Sequence, residues 1–347
     1  MKKVDYIIVG LGIAGLSLCE ALLKANKSFV VIDKGANAAT LVSGGVFNPV
    51  VLKRFTPAWR GAILLDTAIP FYRSLSKKLQ VEIIENTPVY RIFNSIEEQN
   101  NWIIASDKKE LASYLSTKLL KNGNNAINAP FGFGEVIHSG KINTALLFKS
   151  YRSYLNKKDA LLTEIFQYQE LIHNASNVVY KNIEARQLIF SEGAAAIHNP
   201  YFSKEYLIPN KGEYLIIRAP KLQWKSILKG SMFVIPLGDD CYKVGATYER
   251  GVSTFEKTEA AKEKILTSLS KMISCPFEVI DQITGIRPTT KDRKPLVGKH
   301  NEFKNYYFLN GLGTRGIMGA PWLASTLVDY IENEADLPSE IDISRMN

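Results

Sequence analysis

The chain begins with a strand, a glycine-rich turn, a helix and a second strand, and this order restricts its fold more than any other feature. Residues 5–9 and 29–32 are short runs rich in Ile and Val. Residues 14–24 between them carry apolar side chains at helical spacing. Such a pattern predicts two buried parallel strands joined by a helix that packs on the sheet.

The turn between the first strand and the helix contains glycines in G-x-G-x-x-G spacing, which suits dinucleotide binding. Gly10 permits the tight turn, Gly12 lets the backbone approach a pyrophosphate, and Gly15 lets the helix pack closely on the strand. The phosphates would contact the amides at the positive end of the helix. Asp33 ends the second strand, where an acid can accept hydrogen bonds from ribose hydroxyls. Alone, this stretch allows a nicotinamide or a flavin cofactor.

Length and composition are typical of an ordered protein of about two domains. The 347 residues are 46% hydrophobic, and no apolar run approaches the roughly 20 residues of a membrane span. The glycine-rich turn stands where a signal peptide would lie, so we expect a cytoplasmic location. Cys19, Cys241 and Cys275 are too scattered for a disulfide framework, and the four histidines lack ligand spacing, so no metal is expected.

The chain is basic, with 43 Lys and Arg against 34 Asp and Glu and a net charge of +9. A basic surface can attract anions, including nucleic acid. No dense basic tract with interleaved aromatic residues occurs, so we favour a solvated surface of scattered lysines.

A second strand, glycine-rich loop and helix occur near the end of the chain. Residues 306–309 are an apolar run, glycines follow at 311, 313 and 316, and residues 317–331 have helical spacing. Pro321 lies early in this helix, where a missing N–H is expected to cost nothing. The helix N-terminus could stabilise negative charge on a reduced flavin ring. The alternative is a turn that leads into a packed helix.

Four motifs, in this order along nearly the whole chain, resemble the D-amino-acid oxidase family of FAD-dependent oxidoreductases. They are the N-terminal fingerprint, SGGVFNP at 43–49, GIRPTTKDRKPLVG at 285–298 and GLGTRGIMGAP at 311–321. That family includes glycine and sarcosine oxidases. The last motif is most similar to the oxidoreductase half of the bacterial enzyme that finishes 5-methylaminomethyl-2-thiouridine in tRNA.

The resemblance implies an α/β fold in which a Rossmann-like FAD-binding domain is interwoven with an α+β substrate domain that carries a mixed or antiparallel sheet. We predict that the FAD-binding domain comprises residues 1–79, 141–210 and 279–347, and that the substrate domain comprises 80–140 and 211–278. Alternating runs after residue 211 favour the antiparallel sheet. Residues 96–121 are largely polar and are expected to be helical.

The resemblance also implies bound FAD. The residues that match the family's cofactor contacts are Gly10, Gly12, Ile13, Ala14, Gly15, Asp33, Lys34, Ser43, Gly44, Gly45, Asn48, Gly193, Gly313, Thr314, Arg315, Gly316, Ile317 and Met318. In sarcosine oxidases a cysteine near the third motif is linked covalently to the flavin. Arg287 stands at that position here and no cysteine lies nearby in sequence, so we expect noncovalent FAD.

Two further residues are predicted to act in the reaction. Arg287 matches the arginine that binds the substrate carboxylate in D-amino-acid and glycine oxidases, a task that suits the planar fork of a guanidinium. The alternative is an arginine paired with an acid at the domain junction. Lys243 resembles the lysine that sarcosine oxidases use to activate oxygen, and its alternative is a surface lysine on a strand.

Three functions are consistent with these motifs. The leading hypothesis is oxidation of the C–N bond of a small amino acid or secondary amine by hydride transfer to flavin N5, which gives an imine that water hydrolyses. The first alternative is oxidation of a carboxymethylaminomethyl group on a wobble uridine, with tRNA as the partner. The second alternative is a flavin-binding protein without turnover. No membrane partner is expected, and the oligomeric state stays open.

Overall fold

The computed structural model describes residues 1–35 and 39–346, and no helix within them is both long and apolar enough to cross a bilayer. The α-helices in these residues are α1 (Ile13–Lys24), α2 (Ala39–Val42), α3 (Gly61–Leu79), α4 (Ile96–Ser106), α5 (Thr144–Lys157), α6 (Glu259–Ser270) and α7 (Gly316–Asn333).

The strands in the same residues are short, apart from a few that form the centres of two sheets. They are β1 (Lys2–Val9), β2 (Phe29–Ile32), β3 (Val46–Phe47), β4 (Val50–Val51), β5 (Thr56–Pro57), β6 (Ile84–Glu85), β7 (Val89–Ile92), β8 (Phe133–Val136), β9 (Gly140–Ile142), β10 (Leu161–Leu162), β11 (Leu171–His173), β12 (Val178–Tyr180), β13 (Ile183–Phe190), β14 (Ile208–Arg218), β15 (Ile227–Lys229), β16 (Phe233–Gly238), β17 (Cys241–Gly245), β18 (Glu249–Arg250), β19 (Glu278–Thr289), β20 (Leu296–Lys299) and β21 (Tyr306–Asn310).

The first sheet has a parallel core in the order β10-β2-β1-β13-β21, which brings the two ends of the chain together. β11, β12 and β20 join it in antiparallel pairs. Side chains of β1 alternate between two cores: Tyr6 and Ile8 pack with α1, α3, α5 and α7, whereas Ile7 and Val9 pack with aromatic residues on the other face. Burial on both faces confirms the predicted strand–helix–strand unit.

The second sheet is mixed and forms a roof above the ends of the parallel strands. Its order is β18-β14-β17-β16-β15-β7-β8, with β19 paired along the length of β14. Only the β15–β7 pair in this order is parallel. Leu215 and Val244 pack with Ile265 of α6 on one face of this second sheet. Its other face is therefore turned toward the first sheet. The predicted fold class is confirmed. The domain boundaries stay a prediction, and β14 extends across the boundary predicted between residues 210 and 211.

The helix predicted over residues 96–121 is wrong beyond Ser106. α4 ends there, and the chain continues in turns. Leu115 and Leu120 then form bridges to β8, at Val136 and Phe133. Pairing with the edge strand satisfies these backbone groups and buries Leu115, so the tertiary contact overrides a polar, helix-like local sequence.

The prediction that Pro321 costs no hydrogen bond is also wrong. Pro321 lies at the sixth position of α7, so its missing N–H leaves the carbonyl of Ile317 without a helical partner. The hydroxyl of Tyr72, on α3, donates to that carbonyl at 2.7 Å. A side chain from a neighbouring helix therefore replaces the missing bond.

Candidate active site

A cavity of about 810 Å³ lies between the first sheet and the roof. Its floor is formed by the turns that follow β1, β2, β13 and β21, at the carboxyl ends of the parallel strands. Its roof is formed by residues of β14, β15, β16, β17 and β19. Ligands of open α/β sheets bind at such carboxyl ends, so this cavity is the candidate active site.

The sequence-predicted residues converge on this cavity from distant parts of the chain. Among the predicted cofactor residues, all except Gly15 line it, and Arg287 lines it too. Lys243 is not among the lining residues. That these lining residues contact a cofactor stays a prediction.

The glycines of the first turn are required by close backbone contacts. Gly10 has a φ of +97°, and a β-carbon there would lie 2.7 Å from the carbonyl oxygen of Ser191. A β-carbon at Gly15 would lie 2.0 Å from the carbonyl oxygen of Gly10. Gly15 therefore sets the packing of α1 against the turn rather than lining the cavity. Beside Gly12 the space is open, as a bound group would need.

Two helices begin at the cavity without a side-chain cap. The residue before α1 is Gly12 and the residue before α7 is Arg315, and neither caps its helix through a side chain. The first turns of both helices, at Ile13 and Ile317, line the cavity. Uncapped N-termini have free N–H groups and positive dipole ends, so two of them at one cavity favour an electron-rich ligand.

Asp33 is held by three donors at the end of β2. Its carboxylate accepts hydrogen bonds from the backbone N–H of Leu11 at 2.8 Å and of Gly35 at 2.7 Å. Arg152 of α5 forms an ion pair with it at 2.5 Å. Sequence reasoning missed Arg152, because no local spacing links α5 to the end of β2.

Arg315 is a partly buried cation whose guanidinium contacts two backbone carbonyl groups. Its guanidinium donates to the carbonyl of Asn48 at 2.8 Å and lies 3.5 Å from that of Val50. Burial lowers its pKa. No ion pair to Arg315 occurs in residues 1–35 and 39–346, and its position on the cavity wall suits an electron-rich ligand.

Arg287 projects from β19 over the roof face. Its Nη1 donates to the carbonyl of Thr247 at 3.3 Å, and its Cζ lies 5.6 Å from the centre of the Tyr248 ring. A β-carbon at Gly212 would lie 2.3 Å from its Nη1, so the guanidinium occupies the space above that glycine. Within the described chain Arg287 has no acidic partner, and the alternative of a structural ion pair is wrong there.

Lys243 holds a loop that lines the cavity. Its ammonium donates to the carbonyls of Val42 at 3.1 Å and Ser43 at 3.0 Å. Burial, and to a lesser degree Lys141, lowers its pKa to about 8. The contact explains how β17 supports this loop, and a role with oxygen stays a prediction.

Aromatic side chains of the roof were not identified from the sequence. Tyr214, Phe233 and Tyr248 all line the cavity, and Tyr248 is 49% exposed. Tyr214 and Phe233 lie on strands that alternate as expected, and Tyr248 follows β17, but a single sequence does not say which face of the sheet meets the first sheet. None of the three cysteines lines the cavity, and within the described residues no cluster of His, Cys, Asp and Glu could hold a metal ion.

Comparison with known proteins places this site in a family. The model of the family described as FAD dependent oxidoreductase (DAO) matches residues 5–330. The chain belongs to this family. It is an FAD-dependent oxidoreductase of the amino-acid-oxidase type, as the resemblance in the four motifs predicted. Glycine oxidase of Bacillus subtilis (strain 168) is 21% identical in an alignment that covers 96% of this chain and 94% of that protein.

Two further relatives match this chain, one in fold and one over part of its sequence. The crystal structure of glycine oxidase from Geobacillus kaustophilus has a TM-score of 0.80 at 18% identity and covers 99% of both chains, so the fold is shared. The tRNA 5-methylaminomethyl-2-thiouridine biosynthesis bifunctional protein of Idiomarina loihiensis is 26% identical in an alignment that covers 36% of this chain and 22% of that protein.

The cavity of this family member has features that fit FAD. Open space beside Gly12 and the two uncapped helix N-termini suit a pyrophosphate and the electron-rich edge of a flavin. The loop Ser43–Gly45 lines the same cavity and is pressed against the roof; a β-carbon at Gly44 would lie 2.2 Å from Ile235. The residues that would hold FAD are therefore Gly12 with α1, Asp33, the Ser43–Gly45 loop, and Arg315 with α7.

Proposed function

We propose that this enzyme oxidises the C–N bond of a small amino acid, or of a secondary amine that carries a carboxylate, with noncovalent FAD. The chemistry that FAD supplies when bound is acceptance of a hydride at N5. The observation that carries the proposal is Arg287, a guanidinium on the cavity wall without an acidic partner in the described chain.

Arg287 is suited to bind and orient a carboxylate. One N–H contacts the carbonyl of Thr247, and the remaining N–H groups, which have no partner among the described residues, can make a bidentate contact. A carboxylate held in this way directs the adjacent carbon toward the floor of the cavity. Tyr214 of the adjacent β14 and Phe233 of the more distant β16 also line the roof and provide an apolar wall that excludes water.

Among the described residues that line it, the roof has no histidine and no carboxylate, and its charged side chains are Lys229 and Arg287. The oxidation needs the substrate amine in its neutral form and needs no dedicated side-chain base. The amine can therefore lose its proton to solvent before oxidation. The rate should rise with pH as the amine of the substrate deprotonates.

Anaerobic mixing of the flavin-loaded protein with candidate substrates tests the proposal. The panel contains D- and L-amino acids, glycine, sarcosine and proline, and reduction is followed by bleaching of the flavin absorption. Bleaching by one of these compounds identifies a substrate. A protein that binds no flavin, or whose colour persists with every carboxylate-bearing amine, contradicts the proposal.

Substitution of Arg287 tests its part in carboxylate binding. Arg287→Ala should weaken substrate binding by about 1.5–3 kcal/mol, the usual range for a hydrogen bond between charged groups. Arg218→Ala is the matched control, because Arg218 is exposed at the end of β14 in the same sheet and does not line the cavity. Equal binding by the Arg287 variant and this control would remove Arg287 from the site.

A second candidate is oxidation of a carboxymethylaminomethyl group on a tRNA wobble uridine. The similarity to the Idiomarina loihiensis protein and the net charge of +9 favour it. Gel-shift titration with bulk tRNA at low and moderate salt separates the two candidates, because binding driven by phosphates weakens steeply with salt. Absence of binding at low salt would exclude tRNA.

A further inference from the structure

The acidic residues that line the cavity all lie on one side of it. Its acidic residues, Asp33, Glu164 and Glu192, all follow strands of the first sheet and lie at the floor. The charged residues of the roof are both cations, Arg287 on β19 and Lys229 on β15. The roof therefore presents positive charge at two places and negative charge at none among the described lining residues.

Lys229 is a partly buried cation that has no anionic partner in the described chain. Its ammonium contacts the carbonyl of Ser231 at 3.3 Å and lies 4.8 Å from the centre of the Phe233 ring. The neighbouring Arg91 is paired with Glu98, and no carboxylate in residues 1–35 and 39–346 pairs with Lys229. Burial, together with the charge of Arg91, lowers the pKa of Lys229 to about 8. A cation in this setting is stabilised by an anionic ligand.

The strand register places the two roof cations on one face and far apart. Lys229 pairs with Phe233, Phe233 with Gly245, and Gly245 with Tyr214, so their side-chain directions coincide. Arg287 lies on β19, beyond β14, with the same direction. Four strand spacings of about 4.8 Å separate β15 from β19, so a ligand that touches both cations must be elongated.

We propose that Lys229 binds a second anionic group of the substrate. Of the two substrate classes in the proposed function, this selects the carboxylate-bearing secondary amine over a small amino acid. The substrate is then elongated, with a carboxylate at Arg287 and a second carboxylate or a phosphate-like group at the β15 end of the roof. Phe233 and Tyr214 lie between the two cations and suit an apolar connecting chain. This inference rests on the proposed function, because it assumes that Arg287 holds the first carboxylate.

Binding of inert carboxylates to the flavin-loaded enzyme tests the inference without turnover. Straight-chain monocarboxylates and α,ω-dicarboxylates of matched length are titrated, and affinity is measured from the perturbation of the flavin absorption. At the length that spans the roof, the dicarboxylate should bind about tenfold or more tightly than its monocarboxylate partner. A third series with a distal phosphonate shows whether a phosphate-like group is preferred.

Variants of Lys229 test whether this residue causes the preference for dicarboxylates over monocarboxylates. Lys229→Gln should reduce the ratio of dianion to monoanion affinity to near one, and Lys229→Arg should restore most of it. Lys225→Gln is the matched control, because Lys225 is exposed on the same segment and does not line the cavity. Its ratio should equal that of the unmodified enzyme.

The outcomes separate this inference from the proposed function. If no carboxylate of either series binds, the proposed function fails and the inference fails with it. If both series bind equally at every length, or if the preference persists in Lys229→Gln, Arg287 keeps its role and the inference about Lys229 is overturned. Should Lys229→Gln not fold, the length series on the unmodified enzyme and on Lys229→Arg still decides between these outcomes.

Discussion

The guanidinium of Arg287 lies across Gly212, where a β-carbon would be 2.3 Å from Nη1 and 2.4 Å from Nη2. Arg287 pairs directly with Asn210 in the β14–β19 ladder, so Gly212 is its diagonal neighbour. Any other residue type at position 212 would occupy the space that the arginine fills. The glycine thus positions the residue on which the proposed chemistry depends.

Gly212→Ala should displace Arg287 and weaken carboxylate binding. The expected loss is about 1.5–3 kcal/mol, similar to that of Arg287→Ala, because the same charged hydrogen bonds are lost. The two substitutions together should be less than additive, since both act on one contact. Substrate titration of flavin reduction measures the effect, and Gly123→Ala, which has open space around it, is the control. Unchanged binding in Gly212→Ala would contradict the contact.

Gly15→Ala should lower flavin content. Its β-carbon would lie 2.0 Å from the backbone carbonyl of Gly10, which cannot move without opening the turn, so α1 should shift from the floor of the cavity. We expect a loss of about 1–3 kcal/mol in the free energy of unfolding, measured by urea denaturation, and a lower ratio of flavin to protein absorbance. Gly319→Ala is the control, because a β-carbon at Gly319 in α7 would lie 3.5 Å from its nearest neighbour, the side chain of Leu323. This variant should retain both its stability and its flavin content.

Lys211→Met should destabilise the roof. Lys211 and Glu213 form an ion pair at 2.9 Å, with side chains 2% and 0% exposed. Removal of the lysine leaves a buried carboxylate without its cation, so the free energy of unfolding should fall by about 3–5 kcal/mol. The double variant Lys211→Met with Glu213→Leu should recover part of this loss. A single variant as stable as the original chain in urea would show that the pair contributes little.

The same pair predicts a pH dependence of stability. Burial raises the pKa of Glu213, but hydrogen bonds from Lys211, Gln282 and Thr258 outweigh it and hold the pKa below its usual value. A carboxyl whose pKa is lowered on folding contributes stability at neutral pH, which is lost as pH falls through the folded pKa. The difference between the original chain and Lys211→Met should therefore shrink toward acid pH in urea unfolding experiments.

The preference for dianions should decline above about pH 8. Lys229 has a pKa lowered to about 8, so its charge is present below that pH and is lost above it. Dicarboxylate affinity should fall as pH rises through this range, whereas monocarboxylate affinity should stay level, because Arg287 does not titrate there. Parallel titrations at pH 7 and pH 9 measure the difference. An equal fall in the affinities of the dicarboxylate and the monocarboxylate would show that Lys229 does not cause the preference.

The strands and helices next to the two glycine-rich turns, at residues 10–15 and 311–316, were predictable from the sequence alone. β1, α1 and β2 follow from apolar periodicity and from three glycines, and the start of α7 follows from the same kind of local pattern. Local rules suffice because the tight turn and the helix packing involve residues close in the chain. The order of the four family motifs along the chain, and the spacing of residues within them, then identified many residues that line the cavity, including Arg287.

The tertiary structure alone decided which distant residues meet. The pairing of Arg152 with Asp33 and the replacement of a helical hydrogen bond by Tyr72 join elements that no local pattern connects. The distance between Lys229 and Arg287 depends on the order of five strands, and that order results from burial summed over the whole chain. Sequence therefore determined the nucleotide-binding unit and the catalytic type, whereas packing decided the shape and charge of the substrate site.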